Sequence, residues 1–137
     1  MQTKPEKKRV YPLREITSHI VGFSDVDGKG LIGIEKGLQN KLDSGQNIYV
    51  SIDTRIQHST RNELIKTIQK FSAQSGSAIV MNIITGEILS MINYPDFDPN
   101  QSDNLLTKYQ FNNATQGVFE MGSTFKPITM AIGTAYK

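Results

Sequence analysis

Two nearly unbroken apolar runs, Ser77 to Ile83 and Glu87 to Ile92, flank Thr85-Gly86 and constrain the fold more than any other stretch of the chain. Short runs rich in β-branched residues on either side of a turn predict a β-hairpin. Both faces of both strands are largely apolar, so the hairpin is expected inside a sheet with helices against it and not at a wet surface. The preceding sequence supplies such a helix. Asn47 to Ile52 reads as a short strand, and Asp53-Thr54 then offers an N-cap, with Gln57 spaced for a capping box. Ile56, Thr60, Leu64, Ile68 and Phe71 share one face of a helix expected from Arg55 to about Gln74. That face must pack on something apolar.

The flanks are less regular. Pro12, Gly22, Asp27-Gly28, Gly30, Gly33 and Gly37 break Val10 to Leu42 into short pieces, which predicts a small irregular region closed by Asp43-Ser44-Gly45. Asn93 to about Asn113 carries two prolines and several Asp and Asn residues without a clean period, and so reads as a loop. Loops that long are usually functional. A last helix begins near Ser123, and no internal repeat is evident.

Composition excludes some chemistry. At 137 residues with 37% hydrophobic residues and eleven glycines, the chain can bury the core of one domain, or of a small domain and a piece of another. Without cysteine there are no disulfides, thiol nucleophiles or cysteine-based zinc sites. Lys4, Lys7, Lys8 and Arg9 against Glu6 put +3 into the first nine residues and leave −1 for the rest, which reads as a solvated basic tail. No run reaches the roughly 18 apolar residues of a membrane span, and the N-terminus lacks the apolar centre of a signal peptide. As given, the sequence has no visible route across a membrane.

Three patterns carry bland readings. Gly28-Lys29-Gly30-Leu31-Ile32-Gly33 matches G-x-G-x-x-G, with Asp53 where a ribose-binding acid would stand, but polar Ser24-Asp25-Val26-Asp27 replaces the buried strand that a dinucleotide fold needs. His19 and His58 have no metal-ligating neighbours in sequence and are expected in structural or surface roles. Asn113-Ala114-Thr115 is a formal glycosylation acceptor of a pattern that arises by chance.

The chemistry lies in Ser123-Thr124-Phe125-Lys126. With eleven serines and eleven lysines, roughly one S-x-x-K is expected by chance, so its context decides. Gly122 permits a tight entry to a helix, and Pro127 is tolerated in a first turn, where its missing N–H is not needed. Ser123 is therefore expected at a helix N-terminus, with Lys126 one turn on and able to reach back to Ser123 Oγ. The helix end would stabilise the oxyanion of acyl transfer. A capping serine with a surface lysine one turn later fits the local sequence equally well.

The surroundings resemble the class B penicillin-binding proteins. The matching stretches are Arg9-Val10-Tyr11-Pro12 with His19 and Gly22, Gly28-x-Gly30-x-x-Gly33-Ile34-Glu35, and Ser51-Ile52-Asp53 with Ile56-Gln57. They continue through Thr85-Gly86-Glu87-Ile88-Leu89-Ser90-Met91, Asn93-Tyr94-Pro95-x-Phe97-Asp98-Pro99-Asn100 and Gly122-Ser123-Thr124-Phe125-Lys126-Pro127. S-x-x-K is the first of three motifs of this group, with S-D-N and K-T-G. The family's second-motif Ser and Asn and third-motif Lys, Thr and Gly have no counterpart before Lys137. Val118-Phe119-Glu120-Met121-Gly122-Ser123 is most similar to the division-specific branch of alphaproteobacteria, with the elongation-specific branch as the alternative.

The resemblance implies an α+β fold: the end of an irregular pedestal over residues 1–46, then the N-terminal part of a transpeptidase domain over 47–137, a mostly antiparallel sheet between helices. It implies a serine D,D-transpeptidase that cross-links peptidoglycan in septal division, with Ser123 as nucleophile and Lys126 as its base. No cofactor or metal is implied. Its partners would be the D-Ala-D-Ala stem peptide, β-lactams and membrane proteins of the division machinery, with no nucleic acid, at the periplasmic face of the bacterial inner membrane. The chain reads as a fragment that is inactive alone. A β-lactam sensor or class D β-lactamase, or a non-catalytic remnant of a split gene, are the competing readings.

Overall fold

The computed structural model describes residues 8–101 and 108–135. Four short helical pieces come first: a 3-10 turn Arg14–Thr17, then α1 (Ser18–Val21), α2 (Gly33–Gly37) and α3 (Gln39–Asp43). The long helix α4 (Thr54–Lys70) and the strands β1 (Gly76–Met81) and β2 (Ile88–Tyr94) form the centre. After them come a 3-10 turn Lys108–Gln110, α5 (Asn113–Gln116), a 3-10 turn Gly122–Phe125 and α6 (Lys126–Ala135). The mixture is α+β, with a two-stranded antiparallel sheet among the described residues.

Asp53 starts α4 as expected. Its carboxylate accepts the backbone N–H of Arg55 at 2.8 Å and of Ile56 at 3.3 Å, and Arg55 adds side-chain hydrogen bonds to it. The Arg55 side chain first, and the capped amide next, hold the Asp53 carboxyl down at about 2. The helix stops at Lys70 because Ser72 takes a left-handed backbone, φ +51. Ser72 N–H then bonds Gln69 O and Ala73 N–H bonds Ile68 O, the paired bonds of a Schellman end. Phe71 therefore falls off the expected apolar face and is 70% exposed.

The capping box does not form: the cap is Asp53, which makes Ile56 the box position and leaves Gln57 one residue beyond it. Gln57 is fully buried. Its amide donates to Ile16 O at 2.7 Å and Met91 O at 2.9 Å, and its oxygen accepts Met91 N–H at 2.9 Å. Gln57 thus pairs with Met91 as a neighbouring strand would, and it closes the edge of β2 that β1 does not cover. Asn47 to Ile52, expected as a strand, is irregular instead. Its backbone joins no ladder, and it touches β2 only where Ser51 Oγ donates to Ile88 O and Asp53 N–H to Leu89 O.

The hairpin forms where expected, paired Gly76↔Tyr94 through Met81↔Ile88 with an irregularity at Val80/Met81. Its connection is longer than the two-residue turn read from sequence. Asn82 N–H bonds Glu87 O, Gly86 N–H bonds Asn82 O, and Asn82 Oδ1 accepts the amides of Ile84 and Thr85. That loop leaves Ile83 and Ile84 in solvent. One face carries Ala78, Val80, Ser90 and Ile92 toward α4, where a Cβ on Gly76 would meet Ile68 and Leu64 at 3.1 Å. The other face is wetter than expected, with Ile79 48% and Met81 53% exposed.

A second buried cluster holds the N-terminal pieces against the chain after β2. Phe97 meets the rings of His19 and Phe23 edge-on at 5.3 and 5.8 Å. Arg61 grips Asp96 through two hydrogen bonds of 2.6 and 3.2 Å. The Asn100 side chain accepts Tyr11 N–H and donates to Tyr11 O, both at 2.9 Å. Tyr11 OH accepts Ser24 N–H and donates to buried Glu35, which also meets Arg9 at 3.4 Å. The Asn93–Pro99 part of the expected loop is thus held closely, beginning with a cis Tyr94–Pro95 peptide.

Candidate functional site

Gly122 has φ +50, and the 3-10 turn that it opens runs directly into α6. Ser123 lies in that turn and Lys126 is the first residue of α6. Pro127 follows in the first turn, where its missing donor costs nothing. The turn is closed by Thr124, whose backbone N–H and Oγ1 both bond Met121 O. Ser123 and Lys126 are both exposed, and no hydrogen bond joins their side chains. The structure therefore puts the two residues on adjoining turns without bringing them into contact.

Helix α6 has an unusual surface. From Pro127 to Ala135 it carries no charged residue, and Ile128, Met130 and Ile132 are 51%, 69% and 55% exposed. A helix apolar around its whole girth belongs to a protein interior. Between residues 113–121 and the hairpin lies an open cleft of about 590 Å³, with Ser77 and Ile79 on one wall and Asn113, Gly117, Phe119 and Met121 on the other.

Upstream of the serine the chain is held by a buried polar network. Asn93, 2% exposed, accepts Ser77 Oγ at 2.6 Å and Ala114 N–H at 2.9 Å, and donates to Asn112 Oδ1 at 2.8 Å. Asn112 donates in turn to His19 O at 3.3 Å. His19 Nε2 lies 2.7 Å from Tyr109 O, so imidazole and carbonyl of one residue hold both ends of 109–112. Burial lowers the His19 pKa, against the opposing pull of the Tyr109 carbonyl and Asp96. Sequence reasoning assigned His19 a structural or surface role and placed Asn93 in a family-like stretch, but marked no role for Asn93 and did not single out Asn112, since nothing local marks an amide whose partners lie far along the chain.

The other sequence patterns resolve into packing. Gly30 pairs with Ser24 in an isolated bridge, and a Cβ there would strike the backbone of Glu35. Gly33 lies against the backbone of Gly22, so Gly30 and Gly33 serve close backbone approach, while Gly28 has open space around it and a turn conformation at φ +82. His58 is on the surface beside Asn62 at 3.1 Å. Among the described residues no group of three His, Cys, Asp or Glu is placed to hold a metal ion, and no helix is long and apolar enough to cross a membrane. The letters S-D-N do occur, at Ser102-Asp103-Asn104, but they are not a counterpart of the second motif. They precede Ser123, where the family's motif order puts them after it, and lie outside the described residues.

Residues 76–137 match the family described as the penicillin binding protein transpeptidase domain. Over 133 residues the chain is 38% identical to the probable peptidoglycan D,D-transpeptidase FtsI of Caulobacter vibrioides, covering 93% of this chain and 23% of that protein. It is 31% identical to the probable peptidoglycan D,D-transpeptidase PenA of Neisseria gonorrhoeae, covering 92% of this chain and 27% of that protein. Identity to the peptidoglycan D,D-transpeptidase FtsI of Escherichia coli K12 is also 31%, over 93% of this chain and 26% of that protein. Nearly the whole chain is thus similar to part of the peptidoglycan D,D-transpeptidases, and its residues 76–137 to a penicillin binding protein transpeptidase domain. It spans about a quarter of the length of the curated relatives it matches. The match to a transpeptidase domain begins at the first residue of β1.

Proposed function

We propose that this stretch supplies the nucleophile and its base to a peptidoglycan D,D-transpeptidase. The observation that carries the reading is Ser123, three residues before Lys126, in a turn that opens α6 inside the matched transpeptidase segment. Lys126 Nζ, in its neutral form, accepts the Ser123 hydroxyl proton as Oγ attacks the carbonyl between the two D-Ala residues of a stem peptide. The C–N bond breaks, the terminal D-Ala leaves with that proton, and the acyl group remains on Ser123. An amine of a second stem peptide then attacks the ester, passes its proton on and releases Ser123. A β-lactam follows the first half: its ring amide opens onto Ser123 and the acyl-enzyme persists. The α6 N-terminus favours the negative charge that builds on the attacked carbonyl oxygen.

The proposal extends to the surroundings. Residues 1–46 are the end of a pedestal, and 47–137 the first part of the catalytic domain. The Caulobacter and E. coli relatives favour the septal branch, with division-machinery membrane proteins as partners at the periplasmic face. The 137-residue chain alone is inactive, because Ser123 and Lys126 both stand exposed with no hydrogen bond between their side chains. The test is fluorescent penicillin labelling of a polypeptide in which residues 1–137 continue into the rest of a transpeptidase domain. Ser123→Ala is expected to abolish the label, and undiminished labelling would remove Ser123 as nucleophile.

A further inference from the structure

Beyond Gly117 the described chain makes hydrogen bonds only to itself: Thr124 to Met121, and Thr134 to Met130 and Ala131. Every described residue from Val118 onward is exposed. The last bond that ties this segment to the body of the fold is Ala114 N–H to Asn93 Oδ1, nine residues before Ser123. Where the serine can go depends on how firmly 109–114 is held, and three side chains contribute to that hold. Asn93 fixes α5 to β1 and β2, Asn112 ties Asn93 to the His19 carbonyl, and the His19 ring closes the bracket on Tyr109 O.

We propose that His19, Asn93 and Asn112 are positioning residues for Ser123. They contact neither the serine nor the space beside it, and act by fixing the point from which the segment carrying it leaves the fold. The idea rests on the assignment of Ser123 above. If the bracket loosens, α5 swings on β2 and the nucleophile samples a wider volume. The loss falls on the chemical step and not on penicillin affinity, because misplacement by about 1 Å is enough to cost orders of magnitude in rate.

The substitutions can separate position from stability. Asn112→Asp keeps the acceptor for Asn93 and removes the donor to His19 O, where its carboxylate repels the carbonyl. His19→Gln retains an N–H for Tyr109 O, and His19→Phe keeps the ring without it. Because the chain has no cysteine, spin labels at Glu63→Cys on α4 and Ser123→Cys report one distance distribution in the 137-residue chain itself. The parental distribution is expected to broaden in Asn112→Asp and His19→Phe and to be restored in His19→Gln. In the chain continued through the rest of the domain, with Ser123 intact, the first two should acylate about ten- to a hundredfold more slowly at nearly unchanged penicillin affinity. Distributions identical to the parent in Asn112→Asp and His19→Phe would overturn the proposal, as would a His19→Gln distribution as broad as that of His19→Phe. A parent that penicillin never acylates would instead defeat the assignment of Ser123, and the label distances would still decide the positioning role.

Discussion

Replacing Gln57 by Leu tests whether one side chain closes the open edge of the hairpin. Leucine fills most of the volume but leaves Ile16 O, Met91 O and Met91 N–H without the partners that Gln57 provides at 2.7 to 2.9 Å. Each buried group left unpaired costs about 1 to 3 kcal/mol. Three at the low end give about 3 kcal/mol, against which the leucine regains about 1 kcal/mol through better burial of its apolar atoms. A net loss of about 2 kcal/mol is a large share of the 5 to 15 kcal/mol that holds a typical domain together. With a urea slope of about 1 to 2 kcal/mol/M, the midpoint should fall by about 1 to 2 M. Circular dichroism during urea unfolding measures it. Gln57→Glu should do worse, because it keeps the acceptor for Met91 N–H, loses both donations and buries a charge. A leucine variant with the parental midpoint would refute the claim that these bonds hold β2, and no loss of slope could rescue it.

Other outcomes follow from the same contacts. Lys126→Ala in the continued polypeptide should slow acylation by about two to four powers of ten, and a stopped-flow change below about threefold would place the base elsewhere. Nuclear magnetic resonance titration should find the Asp53 carboxyl near 2, and Arg55→Ala should move it up toward the ordinary 3.8. The folded value is depressed, so this cap's share of stability is complete above 3.8 and disappears as pH falls through about 2. Arg61→Ala should cost about 3 kcal/mol by stranding the buried Asp96 carboxylate, and a second change, Asp96→Leu, should recover part of that loss in thermal melts.

The central elements were legible because their causes are local. Asp53 has the side chain to cap a helix, and Ile68 and Ile92 sit in apolar runs whose periods declare a helix and a strand. Errors arose where distant groups overrode local preference. Gln57 has capping-box spacing from Thr54, but the cap forms one residue earlier at Asp53, and a strand edge 34 residues away takes its amide. Asn47 to Ile52 has strand composition but no neighbour to pair with, since Gln57 already holds Met91. Phe71 fits the helical period, but the left-handed turn at Ser72 ends the helix before it. At the candidate site Ser123 and Lys126 were visible as a motif in context. Asn93 and Asn112 were not, because an asparagine in a loop-like stretch looks the same whether it faces water or anchors four elements.

The bonds that join the two ends of the described chain also set a schedule for synthesis. Tyr11 meets Asn100 across 89 residues, and His19 meets Tyr109 and Asn112 across 90 and 93. A ribosome adding about 5 to 20 residues per second needs roughly 5 to 20 seconds to make that interval, and longer before its end clears the exit tunnel. For that time Tyr11, Phe23 and the imidazole of His19 have emerged without the rings, amides and carbonyls that later enclose them. Helix α4 forms from near neighbours in microseconds once it is free. The N-terminal cluster must instead wait, so ribosome-bound chains halted before Asn93 should expose it to protease and chaperone, and chains halted well after Asn112 should not.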